Sequence, residues 1–338
     1  MMVQTSCSTI DDDLSDCDNE FELNYELRLV TNMTTELQTQ LNTQADATIA
    51  DALSRHLATV FTDYAHDVDL SFYDTGADDI RLKHESPMMD ASQRSYTIYL
   101  PVQQYMHLAA ANMRDNTIVS LTGDEHCHTS ALKQQEPSDN NTLPSHTTGL
   151  FTARQPMDVI AGVDQTFNVK LYMANCASAL VIDPRGHQAQ DIKVYATGFA
   201  TEFNINDSIY TYRDNSPLIQ AEPVTAAADG AYSFCAVSFP SPEPATLAAA
   251  TRVVIETTDP FTSGEAADKL WEFRVYVTNA DGTVTESILN VRKPLRAGQL
   301  TIIKAYLAGD GSVRTDDQTI GVSVTLDWND GGSHDVLT

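Results

Sequence analysis

One period dominates this chain: apolar residues return at every second position. "FELNYELRL" sets Phe21, Leu23, Tyr25, Leu27 and Leu29 on one side, the signature of a half-buried strand. "TFNVKLY" repeats it with Phe167, Val169 and Leu171, and "WEFRVYV" with Trp271, Phe273, Val275 and Val277. "IGVSVTLDW" does so again with Ile320, Val322, Val324, Leu326 and Trp328. "DVDLSFYD", "SYTIYLPV", "RVVIET" and "LTIIKAYL" read as further strands. Two Asp-Gly pairs, in "VTNADGTVTESILNV" and "YLAGDGSVRT", predict hairpins, because glycine accepts the positive φ of such turns.

One stretch breaks the rhythm. "ADATIADALSRHLATVFTDY" spaces Ile49, Leu53, Leu57, Val60 and Phe61 at helical intervals, giving an apolar stripe for a helix that crosses over a sheet. "KQQEPSDNNTLPSHTTG", Lys133–Gly149, is polar with two prolines and reads as a long loop. The chain has 338 residues, and about 100–200 residues per domain predicts two domains. Short strands throughout make both β-sandwiches, with the join expected near residues 157–163. The expected division is a tether over 1–17, a first sandwich over 18–158 holding the one helix, and a second over 159–338.

Charge excludes whole classes of function. Asp and Glu number 47 against 20 Lys and Arg, a formal charge of −27, and such a field repels nucleic acid. No stretch reaches the ~18 consecutive apolar residues of a membrane span. Only six residues precede Cys7, too few for a signal-peptide core, so a mature or trimmed form is expected. No G-x-S-x-G, H-E-x-x-H, P-loop or dinucleotide fingerprint occurs, so neither an enzyme nor a cofactor is expected. "GDEHCHTS" brings Glu125, His126, Cys127 and His128 together, yet neighbours in a strand point apart and no second half of a Cys/His site exists. A surface loop or a bridged Cys127 is the expectation there, not a metal. "NADGTVTE" and "DWNDGG" lack calcium-loop spacing and read as hairpin turns. Of five cysteines, Cys7 is the natural odd one; Cys17, Cys127, Cys176 and Cys235 either form two bridges, in one of three pairings, or are buried thiols.

The order and spacing of these segments resemble the fimbrillin-associated anchor subunits of Bacteroidetes, which serve type V fimbriae. The resemblance rests on Cys7 followed by "IDDDLSDC" and "FELNYEL", then "DVDLSFYD" after a helix, "YTIYLPVQQYMHLAAAN", "LF" at 150–151, and the ending "IGVSVTLDW". It spans nearly the whole chain. It implies an all-β protein of two transthyretin-like (Greek-key) sandwiches in tandem, with one crossover helix in the first. It also implies a lipoprotein acylated at Cys7, carrying palmitate, held at the outer membrane as the foot of a fimbrium. Asp11, Asp12, Asp13 and Asp16 then form a hydrated spacer, similar to the acidic signal that routes such lipoproteins to the cell surface.

Stalk subunits of this kind are joined by strand exchange, a form of β-augmentation, after an arginine-directed protease removes their first strand. Here no Lys or Arg precedes Arg28, itself inside the strand pattern. That suits a subunit that keeps its first strand and ends the polymer. The expected partner is the last stalk pilin. The candidate contact is the C-terminal segment with Val322, Val324, Leu326 and Trp328 as plugs, unless that segment is simply the last strand of its own sandwich. Two other roles suit the same scaffold: a surface lipoprotein adhesin or glycan-binding module, whose host ligand the sequence does not name, and a tip or accessory fimbrial subunit.

Overall fold

Alternating segments become strands because one face of each can be buried while every backbone group pairs with a neighbour. The computed structural model describes residues 20–28, 47–61, 65–87, 95–138, 140–224, 230–243, 261–263, 270–315 and 322–325. These form an all-β architecture of packed sheets with one α-helix among the described residues, α1 (Ala47–Val60). The helix lies in sequence between the first two strands, and its stripe of Ile49, Leu53, Leu57 and Val60, with Phe61 just beyond, is buried.

The first unit holds two sheets. One sets β1 (Glu20–Arg28) between β4 (Ser95–Pro101), antiparallel, and β10 (Thr166–Lys170), parallel. The other runs β11 (Tyr172–Met173), β9 (Phe151–Asp158), β5 (Gln104–Ala111), β2 (Val68–Asp74), β3 (Arg81–Glu85). Over the outer face of that second sheet packs a small one: β15 (Ile209–Thr211), β14 (Glu202–Asn204), β7 (Ala131–Gln134), β6 (Val119–Thr122).

The second unit has two larger sheets. One runs β17 (Glu222–Val224), β18 (Tyr232–Ser238), β12 (Cys176–Asp183), β22 (Gln299–Leu307), β23 (Val313–Arg314), with β24 (Val322–Thr325) also paired to β22. The other runs β19 (Phe261–Ser263), β21 (Val284–Val291), β20 (Trp271–Thr278), β13 (Asp191–Thr197), β16 (Leu218–Gln220), β8 (Thr142–Pro144). The expected long loop therefore contains β8.

The sheet of β12, β18 and β22 is shared by two cores. Along β12, Cys176, Leu180 and Ile182 enter the core between the two large sheets. Ala177, Ala179 and Val181 enter the core that holds α1 and the first unit. A strand buried on both faces reads as a continuous apolar run, which is why "CASALVID" and "YSFCAVS" carry no alternation. β22 divides its side chains likewise, with Leu300 and Ile302 in one core and Ile303, Ala305 and Leu307 in the other.

Chain order and sheet membership cross on both sides of the join expected at 158/159. Before it, β8 pairs with β16 of the second unit. After it, β10 and β11 pair with β1 and β9 of the first. The strap from Ser145 to Leu150 that links the units is clamped: Asn112 Nδ2 donates to Gly149 O at 2.7 Å, and Asn175 Nδ2 to Thr148 O at 2.9 Å. Both asparagines are buried, so the carbonyl groups of Thr148 and Gly149 are satisfied inside the protein.

Candidate functional site

The residues singled out by sequence lie at the two ends of the chain, and the sheets place those ends differently. β1 is the middle strand of its sheet. Its antiparallel register with β4 runs from Glu20 opposite Pro101 through Leu23 opposite Ile98 to Glu26 opposite Ser95. Its other edge pairs in parallel with β10, from Asn24 opposite Thr166 to Arg28 opposite Lys170. Within its own unit the first strand is thus held by β4 over Glu20–Glu26 and by β10 over Asn24–Arg28, as expected for a subunit that retains it. Below it Ile98 and Leu100 of β4, with Val169 of β10, are fully buried in the core of α1. Arg28, the first cationic residue, is the last residue of β1. Cys7 and the aspartates after it lie outside the described residues.

At the other end, β24 pairs antiparallel with β22, setting Val322 opposite Ile302 and Val324 opposite Leu300. Leu326 and Trp328 lie outside the described residues. β22 carries β12 on its other edge, and β23 covers it only at Tyr306 and Leu307. The N-terminal half of β22 is therefore the place where Val322–Thr325 is seated. Its two residues there with buried apolar side chains, Leu300 and Ile302, show what a strand in that position must shield.

The chemically tempting cluster resolves by direction. His126 and His128 both turn toward Asp79 at the β2–β3 turn. His128 Nδ1 lies 2.7 Å from one carboxylate oxygen, and His126 Nδ1 lies 3.3 Å from the other. The His128 amide donates to the same carboxylate at 2.8 Å. Burial works to raise the Asp79 carboxyl, and the bonds from His128 outweigh it, leaving the group below its ordinary range. The bond to Asp78 O and the Asp79 charge raise the His126 imidazole. Cys127 turns the opposite way, is buried, and donates to Asn206 Oδ1; burial pushes its thiol up to about 11. Among the described residues no group of three or more His, Cys, Asp and Glu could hold a metal ion. Cys127, Cys176 and Cys235 are free and buried. Cys176 and Cys235 face different cores, so the shared sheet keeps them apart. Cys17 lies outside the described residues.

The two Asp-Gly turns are hairpin caps. Asp281 Oδ1 accepts from the amide and hydroxyl of Thr283, and Asp310 Oδ1 from those of Ser312, with Gly282 and Gly311 at positive φ. "DWNDGG" lies outside the described residues. Trp271 is buried against Phe199 and Phe273, and its indole N–H donates to Lys293 O.

What this arrangement defines is a class: an all-β protein of packed sandwiches with one α-helix among the described residues, and with β1 and β24 as the first and last described strands of its sheets. Solved proteins share that fold. A candidate polysaccharide-binding protein from Bacteroides thetaiotaomicron aligns with a TM-score of 0.52 and 13% identity over 89% of this chain and 98% of its own. Two candidate adhesins from Bacteroides ovatus align with TM-scores of 0.51 and 0.50. Their identities are 11% and 12%, over 94% and 93% of this chain and 99% and 98% of theirs. No family model and no curated protein matches the sequence. The sandwich fold that the resemblance implied is the fold observed.

Proposed function

We propose that this protein is a surface lipoprotein that anchors a type V fimbria to the outer membrane through acyl chains on Cys7, and that it terminates assembly by contacting the last stalk pilin. The observation that carries the reading is the pairing of β1 on both edges. Held by β4 over Glu20–Glu26 and by β10 over Asn24–Arg28, the first strand fills its own place in the sheet, and its retention keeps the N-terminal tether joined to the folded body. Acyl chains at Cys7 contribute about 0.8 kcal/mol per buried CH₂, and stable anchoring takes more than one chain. The stalk contact is assigned to the C-terminal segment, with Val322, Val324, Leu326 and Trp328 as the side chains offered. Its exit from β22 would transfer those residues to the pilin, while its retention there makes it the closing strand of its own sheet. The role is structural, without catalysis or cofactor.

The test is fractionation of Cys7→Ala with mass spectrometry of the native N-terminus. The variant protein and most fimbriae are expected in the medium; recovery of the variant in the outer membrane overturns the anchor.

A second reading, an adhesin or glycan-binding module, draws on the adhesin and polysaccharide-binding descriptions of proteins with this fold. The described surface supports it less. Trp271 is buried, and the Tyr195–Tyr276 pair on the outer face of β13 and β20 stands edge to face at 77°, which offers no flat platform for a sugar ring. The reading of a tip or accessory subunit is disfavoured by the same retention of β1 between β4 and β10.

A further inference from the structure

We propose that one end of the first unit is a lipid-seating tip, built from the β4–β5 turn and the β9–β10 connection, which rests on the membrane surface beside the lipid anchor; this rests on the anchor reading of Cys7. Four strand ends meet there: β1 begins at Glu20 opposite Pro101, the last residue of β4, and Gln104 at the start of β5 pairs with Asp158 at the end of β9. The amide of Val159 donates to Gln103 O at 3.0 Å, joining the two loops. Large apolar side chains exposed among the described residues are few, and four of the nine gather here. They are Tyr99 at 47%, Val102 at 42%, Ile160 at 49% and Val163 at 55% exposed.

These side chains are held outward. Gln165 Oε1 accepts from the Ile160 amide and its Nε2 donates to Asp158 O, both at 2.9 Å, which closes the 158–165 loop on itself. Gly162 forms the apex at φ +71, with open space around it. An apolar tip held open in this way forfeits the burial it would gain by folding back.

What covers the tip follows from where the chain enters. Residues 8–19 connect Cys7 to Glu20, a reach of roughly 45 Å when extended. A lipidated Cys7 therefore brings the membrane to the end of the protein that carries the exposed aliphatics. Three aliphatic side chains bind a bilayer weakly alone, but a covalent link of this length supplies an effective concentration on the order of millimolar. No Lys or Arg occurs in 99–104 or 158–165, and Asp158 and Asp164 are exposed there. The tip accordingly suits a zwitterionic surface and is repelled by an anionic one at low salt.

The full chain with Cys17→Ser, coupled through Cys7 to maleimide headgroups in phosphatidylcholine vesicles, tests this whether or not Cys7 is acylated in the cell. Acylation is read separately on the native N-terminus, so failure of the tip and failure of the anchor are distinguishable. The remaining cysteines are buried. Val163→Trp and, in the second unit, Val284→Trp report depth by quenching with brominated phosphatidylcholine, after subtraction of the parent signal. Quenching at Val163→Trp is expected to exceed that at Val284→Trp by about threefold or more. It should fall toward the Val284→Trp level when Val102→Gln and Ile160→Gln are added. Phosphatidylglycerol should reduce it at low salt, with recovery at high salt. Equal quenching at both positions overturns the proposal, as does no response to the glutamine pair. Protection of the tip by a second copy in the absence of lipid, seen as a concentration-dependent shift of the Val163→Trp emission, also overturns it.

Discussion

His146 is an imidazole in the wrong solvent. It is buried on the strap between the units, its ring 5.1 Å from Phe239 and edge-on to it, and neither ring nitrogen has a hydrogen-bond partner. Burial pushes its pKa down to about 3, and that of His107 down to about 4 against the bond to Ser71 O. Both rings stay neutral when folded, while in the unfolded chain they take up protons below about 6.5. The unfolded state thus binds more protons in acid, and stability falls as pH drops from 6.5 toward 4. The loss is of order 3 kcal/mol for each ring by pH 4. His146→Phe is expected to stabilise the protein by about 1 kcal/mol at neutral pH, because two unpaired nitrogens leave the core. It should also flatten the pH dependence, as urea midpoints at pH 7.5 and 4.5 will show. Gly198 is the second sensitive position. It sits at φ +100, where an added Cβ would lie 2.7 Å from Trp271 Cα and 2.8 Å from Leu270 O. Gly198→Ala should cost about 2–4 kcal/mol by clash and strain together, with a matching fall in Tm.

The N-terminal half of β22 depends on one short strand. Among the described residues β24 alone pairs with Gln299–Ile302 on that edge, and an uncovered edge is a template for another chain. A chain truncated after Thr315 is expected to melt lower and to run partly as strand-paired oligomers in size-exclusion chromatography. A synthetic peptide of residues 319–329 should return it to the monomer position. Failure of the peptide to bind the truncated chain would show that the β22 edge is not a strand acceptor. β12 and β18 illustrate a different point about elements. They build the centre of the molecule yet lacked any sequence period, because Cys176 to Ile182 feeds two cores in turn. The terminal strands, with one face toward a core, were legible from alternation alone.

Across the whole molecule, the sheet of β12, β18 and β22 makes the two units one cooperative body. Leu180 and Val181 are adjacent in sequence and serve opposite cores. Leu180→Ala should destabilise by about 2–5 kcal/mol, and Val181→Ala by a smaller but sizeable amount. Both should shift the same single transition, whether followed by tryptophan fluorescence or by far-UV dichroism. Two separated transitions, each moved by only one substitution, would falsify the shared core. The net charge of −27 adds self-repulsion, so moderate salt is expected to raise that transition.

Much of this architecture follows from alternation and from glycine chemistry. The strands around Phe21–Arg28, Val68–Asp74, Thr166–Lys170 and Trp271–Thr278, the helix, and the turns at Gly282 and Gly311 are each dictated by neighbours within a few residues. The sequence by itself also determined that Trp271 points inward. Only the tertiary structure decided the rest, because it depends on partners far along the chain. Those decisions include which sheet each strand joins, that β8 and β10 cross the expected join, and that His126 and His128 close on Asp79 while Cys127 turns away. They include too that the start of β1 lies opposite Pro101, at the end of β4, and that Val159 bonds Gln103 of the β4–β5 turn. Local sequence sets which face of a strand is apolar; which strand lies against it is set by long-range packing, and no short window of residues carries that information.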